Sequence, residues 1–241
     1  MIEHWFDPQD CDMATQYDIV HIDCAESTQD EARLRLDATG TAVLVVADEQ
    51  TAGRGRQGRD WAQPDRGMFA SYAFVSGWDL SDRTLIPLVA AVAIREAVQE
   101  LLDIELGLRW PNDLMIEGGK IGGLLVEASG DTVIVGCGIN LLWKNPIEGA
   151  AALLTEDPGA SVAVRLAETW VDVLIGHLGR GSGGWPRAEY ESASVTLDHY
   201  VIWGDGLGRA VGIANDGALV VERDGEQIEL RAGEVHTRVR R

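Results

Sequence analysis

A segment rich in glycine and arginine, residues 52–61, constrains the fold of this 241-residue chain more than any other stretch. Its sequence is Ala-Gly-Arg-Gly-Arg-Gln-Gly-Arg-Asp-Trp, and we call it the Gly/Arg loop. It follows an apolar, β-branched run at 41–47 that predicts a buried strand. Its glycines have the spacing of the dinucleotide-binding fingerprint, which requires a helix after the third glycine. Pro64 disfavours a helix there, so we reject that interpretation and expect an extended loop.

The arginines of the loop, Arg54, Arg56 and Arg59, reverse the sign of an otherwise acidic chain with a formal net charge of −19. Glycines allow close backbone approach, and guanidinium groups donate paired hydrogen bonds to carboxylate or phosphate oxygens. The loop therefore predicts a site for a small anion such as a nucleotide triphosphate or an acyl phosphate, although a solvated turn has the same composition. The acidity of the whole chain argues against nonspecific nucleic-acid binding.

The composition otherwise fits a globular protein with a sizeable core, since 46% of the residues are hydrophobic. The longest apolar run, 85–94, contains Pro87 and stops at Arg95, so it predicts a buried helix and not a membrane span. The acidic N-terminal residues do not resemble a signal peptide. Three separated cysteines and five scattered histidines provide neither a disulfide framework nor metal-ligand spacing. We therefore expect a cytoplasmic protein, not associated with a membrane, whose residues form no metal site.

Hydrophobic periodicity predicts an α+β fold in two unequal parts. Strands are expected at 18–23, 41–47, 67–75, 105–110, 114–117, 120–128 and 132–140, the last broken by Gly136 and Gly138, and helices from Ser27 to about Ala38, from Ser81 or Asp82 to Leu102, over 161–178 and over 185–193. From Val195 onward, short strands alternate with glycine-containing turns, which is typical of a small barrel of about five strands. We place a domain boundary near Ser194, which gives domains of residues 1–194 and 195–241.

Several polar residues lie where the expected strands end. Lys120 is one of two lysines in the chain and follows a Gly-Gly turn, where its ammonium group either binds a negative charge or is simply solvated. An ammonium about 4 Å from a phosphate gains roughly 4 kcal/mol at an effective dielectric near 20. Trp61 could stack on a base, and Asn112 and Asn140 could pair with a purine edge, although each alone is typical of a core or turn residue.

Four motifs together resemble those of the biotin protein ligases. They are the Gly/Arg loop, Arg-Trp-Pro-Asn-Asp-Leu at 109–114, Gly-Lys-Ile-Gly-Gly-Leu-Leu-Val-Glu at 119–127 and Gly-Cys-Gly-Ile-Asn at 136–140. They have the family's order and spacing, and the resemblance extends from about residue 18 to the end. It implies a mixed β-sheet catalytic domain flanked by helices, like that of class II synthetases, followed by a small SH3-like β-barrel. Because no N-terminal helix-turn-helix is expected, the chain resembles the monofunctional ligases that have no DNA-binding domain.

The resemblance also implies a two-step reaction. Biotin attacks the α-phosphate of ATP to give biotinyl-AMP and pyrophosphate, and a lysine of a biotin carboxyl carrier domain then attacks this mixed anhydride. ATP and biotin are the expected substrates, Mg²⁺ is expected to be carried with ATP, and the carrier domain is the expected partner. The oligomeric state is left open, a homodimer included. The alternatives are a lipoate-type protein ligase and a noncatalytic sensor of biotin or its adenylate.

The residue roles implied by the resemblance form three sets. Lys120, Arg56 and Asp113 are expected to be catalytic, with Lys120 at the carboxylate and α-phosphate and Asp113 near the incoming acceptor lysine. The biotin-binding set is Ser27, Thr28, Gln29, Gln50, Arg54, Gly55, Arg56, Lys120 and Gly122, and the nucleotide-binding set is Arg54, Arg56, Arg59, Trp61, Asn112, Lys120 and Asn140. The Gly/Arg loop is expected to fold over the anhydride and exclude water from it.

Three residues depart from the family pattern. Gln29 stands where asparagine is usual, Arg109 where lysine is usual, and Cys137 where a small or aliphatic residue is common. Arginine keeps the charge of lysine but changes its geometry. Ser27 and Thr28 also suit a helix N-cap, so their type alone does not establish a role in binding.

Overall fold

The computed structural model describes residues 17–117, 119–204 and 206–231, together with the backbone of 237–240. The elements are β1 (Asp18–Ala25), α1 (Thr28–Thr39), β2 (Val43–Gln50), β3 (Arg66–Val75), α2 (Ile86–Leu102), β4 (Gly107–Arg109), β5 (Asp113–Ile116), β6 (Gly119–Ser129), β7 (Thr132–Leu142), α3 (Ala160–Leu178), α4 (Arg187–Ala193), β8 (Tyr200–Trp203), β9 (Gly206–Ile213), β10 (Leu219–Arg223), β11 (Glu226–Leu230) and β12 (Thr237–Arg240). Each predicted helix and strand has a counterpart among these elements. Gly118 of the predicted Gly-Gly turn lies outside the described residues.

The large sheet has the strand order β1-β2-β3-β7-β6-β5-β4. It is mixed, because β1 pairs with β2 in parallel while the other neighbours are antiparallel. Successive residues of β2 point to opposite faces: Val43 and Val45 pack with α1, whereas Leu44 and Val46 belong to the core beneath α2 and α3. Helices therefore cover both faces of the sheet, as predicted.

The five-stranded antiparallel sheet that follows has the order β11-β10-β9-β8-β12. It is joined to the large sheet by buried contacts of Trp110, whose backbone N donates to Thr196 Oγ1 at 2.9 Å and whose Nε1 donates to Gly217 O at 3.0 Å. The apolar core runs continuously from one sheet into the other. The α+β class, with a small antiparallel sheet after a mixed sheet, is confirmed, whereas the division into two domains, the boundary near Ser194 and closure into a barrel stay predictions.

Three local predictions need correction or refinement. The strand at 132–140 is not broken: β7 runs without interruption, and its two glycines make room for neighbouring side chains. The helix expected from Ser81 or Asp82 begins as a 3₁₀ turn, Asp82–Leu85, before α2. The Gly/Arg loop contains only a 3₁₀ turn, Arg56–Gly58, and then becomes extended, which confirms that it is not a dinucleotide-binding βα unit.

Candidate functional site

The Gly/Arg loop connects β2 to β3 and folds back on itself as a small hairpin. Trp61 N donates to Gly53 O at 2.9 Å, and Gly55 N donates to Arg59 O at 2.7 Å. The reversal is made at Gln57 and Gly58, which have positive φ values of 61° and 70°. Gly58 adopts this left-handed conformation without the steric cost that a side chain gives to Gln57.

The loop covers a cavity of about 160 Å³, which we call the inner cavity. Its walls come from the first residues of α1, the end of β2, the Gly/Arg loop and the middle of β3, β6 and β7. The lining residues are Ser27, Thr28, Gln29, Gln50, Arg54, Gly55, Arg56, Arg59, Asp60, Trp61, Ala70, Ser71, Asn112, Lys120, Gly123, Leu124, Leu125, Gly136, Cys137 and Gly138. Most of the predicted site residues are thus brought together around one space.

One end of the inner cavity is a buried network of neutral hydrogen-bonding groups. Gln50 Oε1 accepts from the Thr28 backbone N at 2.8 Å and from its hydroxyl at 3.1 Å, and Thr28 Oγ1 and Ser71 Oγ are 2.8 Å apart. Ser27 is the N-cap of α1 by position, yet within the described part of the chain its side chain makes no capping hydrogen bond. Its buried hydroxyl therefore remains available to a ligand in the cavity.

Gln29 gives this end of the cavity an acceptor that the described residues do not satisfy. Its Nε2 donates to Leu125 O at 2.7 Å, which fixes the amide, while its buried Oε1 has no partner among the described residues. Gly136 makes this arrangement feasible, because a Cβ at that position would lie 2.8 Å from Gln29 Nε2. A buried acceptor left without a donor costs about 1–3 kcal/mol, so a ligand N–H here would bind favourably.

At the other end, Lys120 is held by a carboxylate. Its Nζ lies 2.5 Å from Asp113 Oδ1, while Arg109 donates to Asp113 Oδ2 at 2.6 Å through Nη2 and at 3.0 Å through Nε. Burial alone would raise the pKa of the Asp113 carboxyl, but the two cations outweigh it and hold that pKa below its ordinary value. Asp113 does not line the inner cavity; it positions the lysine that does.

Arg56 reaches from the loop to the opposite wall. It donates to Asn112 Oδ1 at 3.1 Å, and Asn112 Nδ2 donates in turn to Leu124 O at 2.7 Å. Burial lowers the pKa of the Arg56 guanidinium, although the nearby Asp113 charge opposes this and the Arg59 charge adds to it. Even so, an arginine stays charged at neutral pH, and a half-buried cation favours an anion in the cavity.

A second space, the outer cavity, adjoins the inner one and measures about 210 Å³. It is lined by Asp60, Trp61, Ala62, Lys120, Asn140, Trp143, Ile147, Glu148, Gly149 and Ala150. Asp60, Trp61 and Lys120 line both cavities, and Lys120 Nζ is 5.7 Å from the Trp61 ring centroid. Asn140 Nδ2 donates to Ala151 O at 2.9 Å, while its Oδ1 and the indole Nε1 of Trp61 are buried without a partner among the described residues.

Two residues discussed in the sequence analysis, Gly122 and Cys137, have structural roles that their residue types did not indicate. Gly122 lines neither of the two cavities; a Cβ there would lie 2.5 Å from Gly138 O, so the glycine allows β6 and β7 to pack. Cys137 lines the inner cavity as a buried free thiol whose pKa is raised by burial, so it acts there as a small apolar residue.

Sequence reasoning did not single out several lining residues. Ser71 could have been found, because it is a small hydroxyl residue within the largely apolar and aromatic run Met-Phe-Ala-Ser-Tyr-Ala-Phe-Val of β3. Gly136 and Gly138 were noted as interruptions of a strand and as part of the motif at 136–140, but nothing in the sequence indicated that they leave space for Gln29 and Trp61. Trp143 and the 147–150 segment had no signal, since they reach the site through the fold alone.

Two further features are absent from the part of the chain that the structure describes. Within it there is no group of three or more His, Cys, Asp or Glu side chains placed to hold a metal ion. Its helices are all too short or too polar to cross a bilayer.

Comparisons with known proteins agree on one family. Residues 22–140 match the model of the biotin/lipoate A/B protein ligase family. The chain is 31% identical over 219 residues to a biotin–[acetyl-CoA-carboxylase] ligase of Mycobacterium tuberculosis, covering 85% of this chain and 82% of that protein. It is 36% identical over 130 residues to a bifunctional ligase/repressor of Bacillus subtilis, covering 51% and 40%. The structure of an Aquifex aeolicus biotin protein ligase in complex with biotin and ATP superposes with a TM-score of 0.76 at 26% identity, covering 92% of this chain and 99% of that one.

Proposed function

This chain belongs to the biotin protein ligases of the biotin/lipoate A/B protein ligase family, and from that premise we propose that it converts biotin and ATP to biotinyl-5′-AMP and pyrophosphate and transfers the biotinyl group to a lysine of a biotin carboxyl carrier domain. The observation that carries the proposal is the position of Lys120, which lines both cavities where they adjoin. A cation at that point can contact the carboxylate of a ligand in one cavity and the α-phosphate of a ligand in the other.

The two cavities suit the two substrates by their chemistry. The neutral donors and acceptors of Ser27, Thr28 and Gln29 match a cyclic urea, which has two N–H groups and one carbonyl. The outer cavity offers the faces of Trp61 and Trp143 and the amide of Asn140, which suit stacking and edge pairing of an adenine. Biotin is therefore assigned to the inner cavity, and the adenosine to the outer one.

In the first step, a biotin carboxylate oxygen attacks the α-phosphorus, a new C–O–P bond forms, and the bond to the β-phosphate oxygen breaks with release of pyrophosphate. Negative charge accumulates between the two cavities during this step. Lys120 lines both cavities and Arg56 and Arg59 line the inner one, and cations fixed in advance stabilise such charge without reorganisation. Mg²⁺ enters with the ATP phosphates in this proposal, since its preferred ligands are oxygens and it keeps part of its water shell.

In the second step, the amine nitrogen of the acceptor lysine attacks the carbonyl carbon of the anhydride, an amide bond forms, and AMP leaves. Asp113 is not assigned as the base for this lysine, because a carboxylate whose pKa is held low by Lys120 and Arg109 takes up a proton poorly. Its part is to hold Lys120 at 2.5 Å and to favour the approach of a positively charged acceptor side chain. The amine must lose its proton to another group or to solvent.

The Gly/Arg loop forms the lid of the inner cavity in this proposal. A mixed anhydride is hydrolysed by water, and a loop that covers the cavity slows that loss. Arg56 links the loop to Asn112 on the far wall, so it contributes to closure as well as to charge. We expect Arg56→Gly to release more free biotinyl-AMP than the parent does.

The alternatives predict different behaviour. A lipoate-type ligase would use lipoate in place of biotin, but lipoate has no urea for the neutral end of the inner cavity. A noncatalytic sensor would bind biotin without activating it, and it would have no need of an ammonium shared by two cavities. Neither alternative has an observation in its favour beyond family likeness.

The test is exchange of labelled pyrophosphate into ATP, run with biotin or lipoate, for the parent, Lys120→Ala and Lys144→Ala. Lys144 is the matched control because it is the other lysine of the chain and lines neither cavity. We expect biotin-dependent exchange that Lys120→Ala abolishes and Lys144→Ala preserves, followed by biotinylation of a purified carrier domain. Exchange with lipoate alone would favour the lipoate ligase, and biotin binding without exchange would favour the sensor.

A further inference from the structure

The Gly/Arg loop is tied to helix α1 by an ion pair in which both groups use two atoms. Arg54 Nη2 donates to Asp30 Oδ1 at 2.7 Å, and Arg54 Nη1 donates to Asp30 Oδ2 at 2.9 Å. This paired arrangement fixes orientation as well as distance, which a single contact does not. The hydrogen bond that Arg54 donates to Asp30 is the main reason why the pKa of the Arg54 guanidinium is raised.

The ion pair can affect ligand binding because Asp30 lies next to the residues of α1 that line the inner cavity. Asp30 directly follows Ser27, Thr28 and Gln29, the residues that bring α1 to the inner cavity. Arg54 belongs to the loop that lies over the same cavity. The pair therefore links the loop to the helix that forms one wall of the binding site.

Besides this pair, the loop contacts the rest of the protein through Ala52 N, which donates to Glu26 O at 2.9 Å, and through Arg56, which donates to Asn112 Oδ1 at 3.1 Å. Its hydrogen bonds from Trp61 to Gly53 and from Gly55 to Arg59 join the loop to itself and do not anchor it to the protein. Its three glycines have large conformational freedom. Most residues of the loop are exposed, and such a segment opens at low free energy, so the Arg54–Asp30 pair adds measurably to the population of the closed loop alongside these links.

We propose that Asp30 is a positioning residue that holds the Gly/Arg loop over the inner cavity, and that it thereby slows the dissociation of biotin and the escape of the activated intermediate. The part that concerns the intermediate rests on the proposed function, whereas the part that concerns biotin requires only that biotin binds in the inner cavity. Asp30 itself lies outside the lining of that cavity and acts through Arg54.

A second property of Asp30 must be separated from this role. Asp30 and Glu31 both lie in the first turn of α1, where a negative charge stabilises the helix through its dipole. Glu31 pairs with Arg35 at 2.8 Å on the same helix and has no contact with the loop among the described hydrogen bonds. Glu31→Gln therefore removes the same charge from the same turn without touching the link to Arg54, and it is the matched control.

The first measurement is the dissociation rate of labelled biotin from the parent, Asp30→Asn, Asp30→Glu and Glu31→Gln. Because side chains of this pair are about half exposed, with fractions of 42% and 50%, we expect Asp30→Asn to speed dissociation by about two- to fivefold. Glu31→Gln should match the parent, and Asp30→Glu should recover part of the effect because it keeps a carboxylate. Raising salt to about 1 M, where the Debye length is about 3 Å, should speed the parent towards the variant and leave Asp30→Asn nearly unchanged.

The second measurement is the release of free biotinyl-AMP in the absence of a carrier, with pyrophosphate exchange measured alongside. We expect Asp30→Asn to release more adenylate at an exchange rate close to that of the parent. If the parent performs no exchange, the proposed function fails, and the biotin dissociation rates still decide whether Asp30 holds the loop.

Two results would overturn the inference. Equal biotin dissociation from the parent and Asp30→Asn would show that the pair does not hold the loop. Equal acceleration by Asp30→Asn and Glu31→Gln would assign the effect to the helix dipole. Unfolding midpoints of the variants in urea, which we expect to agree with that of the parent, separate a local effect from a loss of fold.

Discussion

The two sides of the inner cavity are built in opposite ways. The floor, formed by Thr28, Gln29, Gln50 and Ser71, consists of mostly buried neutral groups that hydrogen-bond to one another or to the backbone of β6. The roof, the Gly/Arg loop, is charged and largely exposed, and an ion pair at its edge anchors it to the protein. A fixed floor can bind a neutral ligand group without the entropy cost of ordering its own side chains. A movable roof, by contrast, admits the ligand and brings cations to it afterwards.

Gly136→Ala should damage the floor most. The new Cβ would lie 2.8 Å from Gln29 Nε2, whose amide is already fixed by its bond to Leu125 O. We expect biotin affinity to fall by about 10- to 100-fold, since a misplaced buried polar group costs about 1–3 kcal/mol. Titration calorimetry with biotin alone measures this, and an affinity within twofold of the parent would contradict the role of Gln29.

Gly138→Ala lies two residues further along the same strand and should affect the roof side instead. Its Cβ would approach the Trp61 ring at 3.1 Å, so the indole must shift by a few tenths of an ångström. We expect the KM for ATP in pyrophosphate exchange to rise by about three- to tenfold. This loss corresponds to part of the roughly 1–3 kcal/mol that stacking of an aromatic side chain on a base contributes. Biotin affinity should fall by a smaller factor than the KM for ATP rises, because Gly138 and Trp61 also line the inner cavity at its roof side; a larger loss for biotin than for ATP would reverse the assignment of the two cavities.

Asp113→Asn should reduce stability by about 1 kcal/mol at pH 7, because the partners Arg109 and Lys120 are about a third exposed, 36% and 31%, and solvent screens them. The pKa of Asp113 is lowered in the folded protein, so its stabilisation is complete above its ordinary value near 3.9 and is lost as the pH falls through the lowered pKa. The difference in the free energy of unfolding between parent and variant, measured in urea, should therefore be the same at about pH 7 and about pH 5.5. It should shrink below about pH 4. A difference that grew on acidification would contradict the lowered pKa.

Arg59→Gln should have the smallest effect on stability. Arg59 Nε donates at 3.3 Å to Arg56 O on an exposed part of the roof, so the free energy of unfolding should change by less than about 0.5 kcal/mol. If the arginines of the roof bind the anionic groups of ATP, the same variant should raise the KM for ATP. It should also make that KM depend less on the salt concentration. An equal loss of biotin affinity in the absence of ATP would show that the roof also contributes to the neutral site.

Much of this architecture could be predicted from the sequence because its signals are local. Periodicity located the helices and strands, and Pro64 excluded a helix after the Gly/Arg loop. The motif residues that the family resemblance selected, such as Ser27, Arg56 and Lys120, meet around one cavity. Their individual roles stay predictions, because position alone does not measure binding.

Other features could not be predicted because they depend on contacts between distant parts of the chain. Asp30 resembles any acidic residue of a first helical turn until Arg54, 24 positions away, is placed beside it. Gly136 and Gly138 resemble strand breakers until Gln29 and Trp61 are packed against β7.

The sequence by itself determined the order of the elements and the chemistry of the Gly/Arg loop, since both follow from backbone conformation and side-chain type within a few residues. The tertiary structure decided that two cavities meet at Lys120, that Asp113 holds that lysine, and that Gly122 serves packing between strands. The physical reason is that the effect of a charged group or of a missing side chain depends on the atoms within a few ångströms of it. Those atoms belong to distant parts of the chain, and only the folded sheet brings them together.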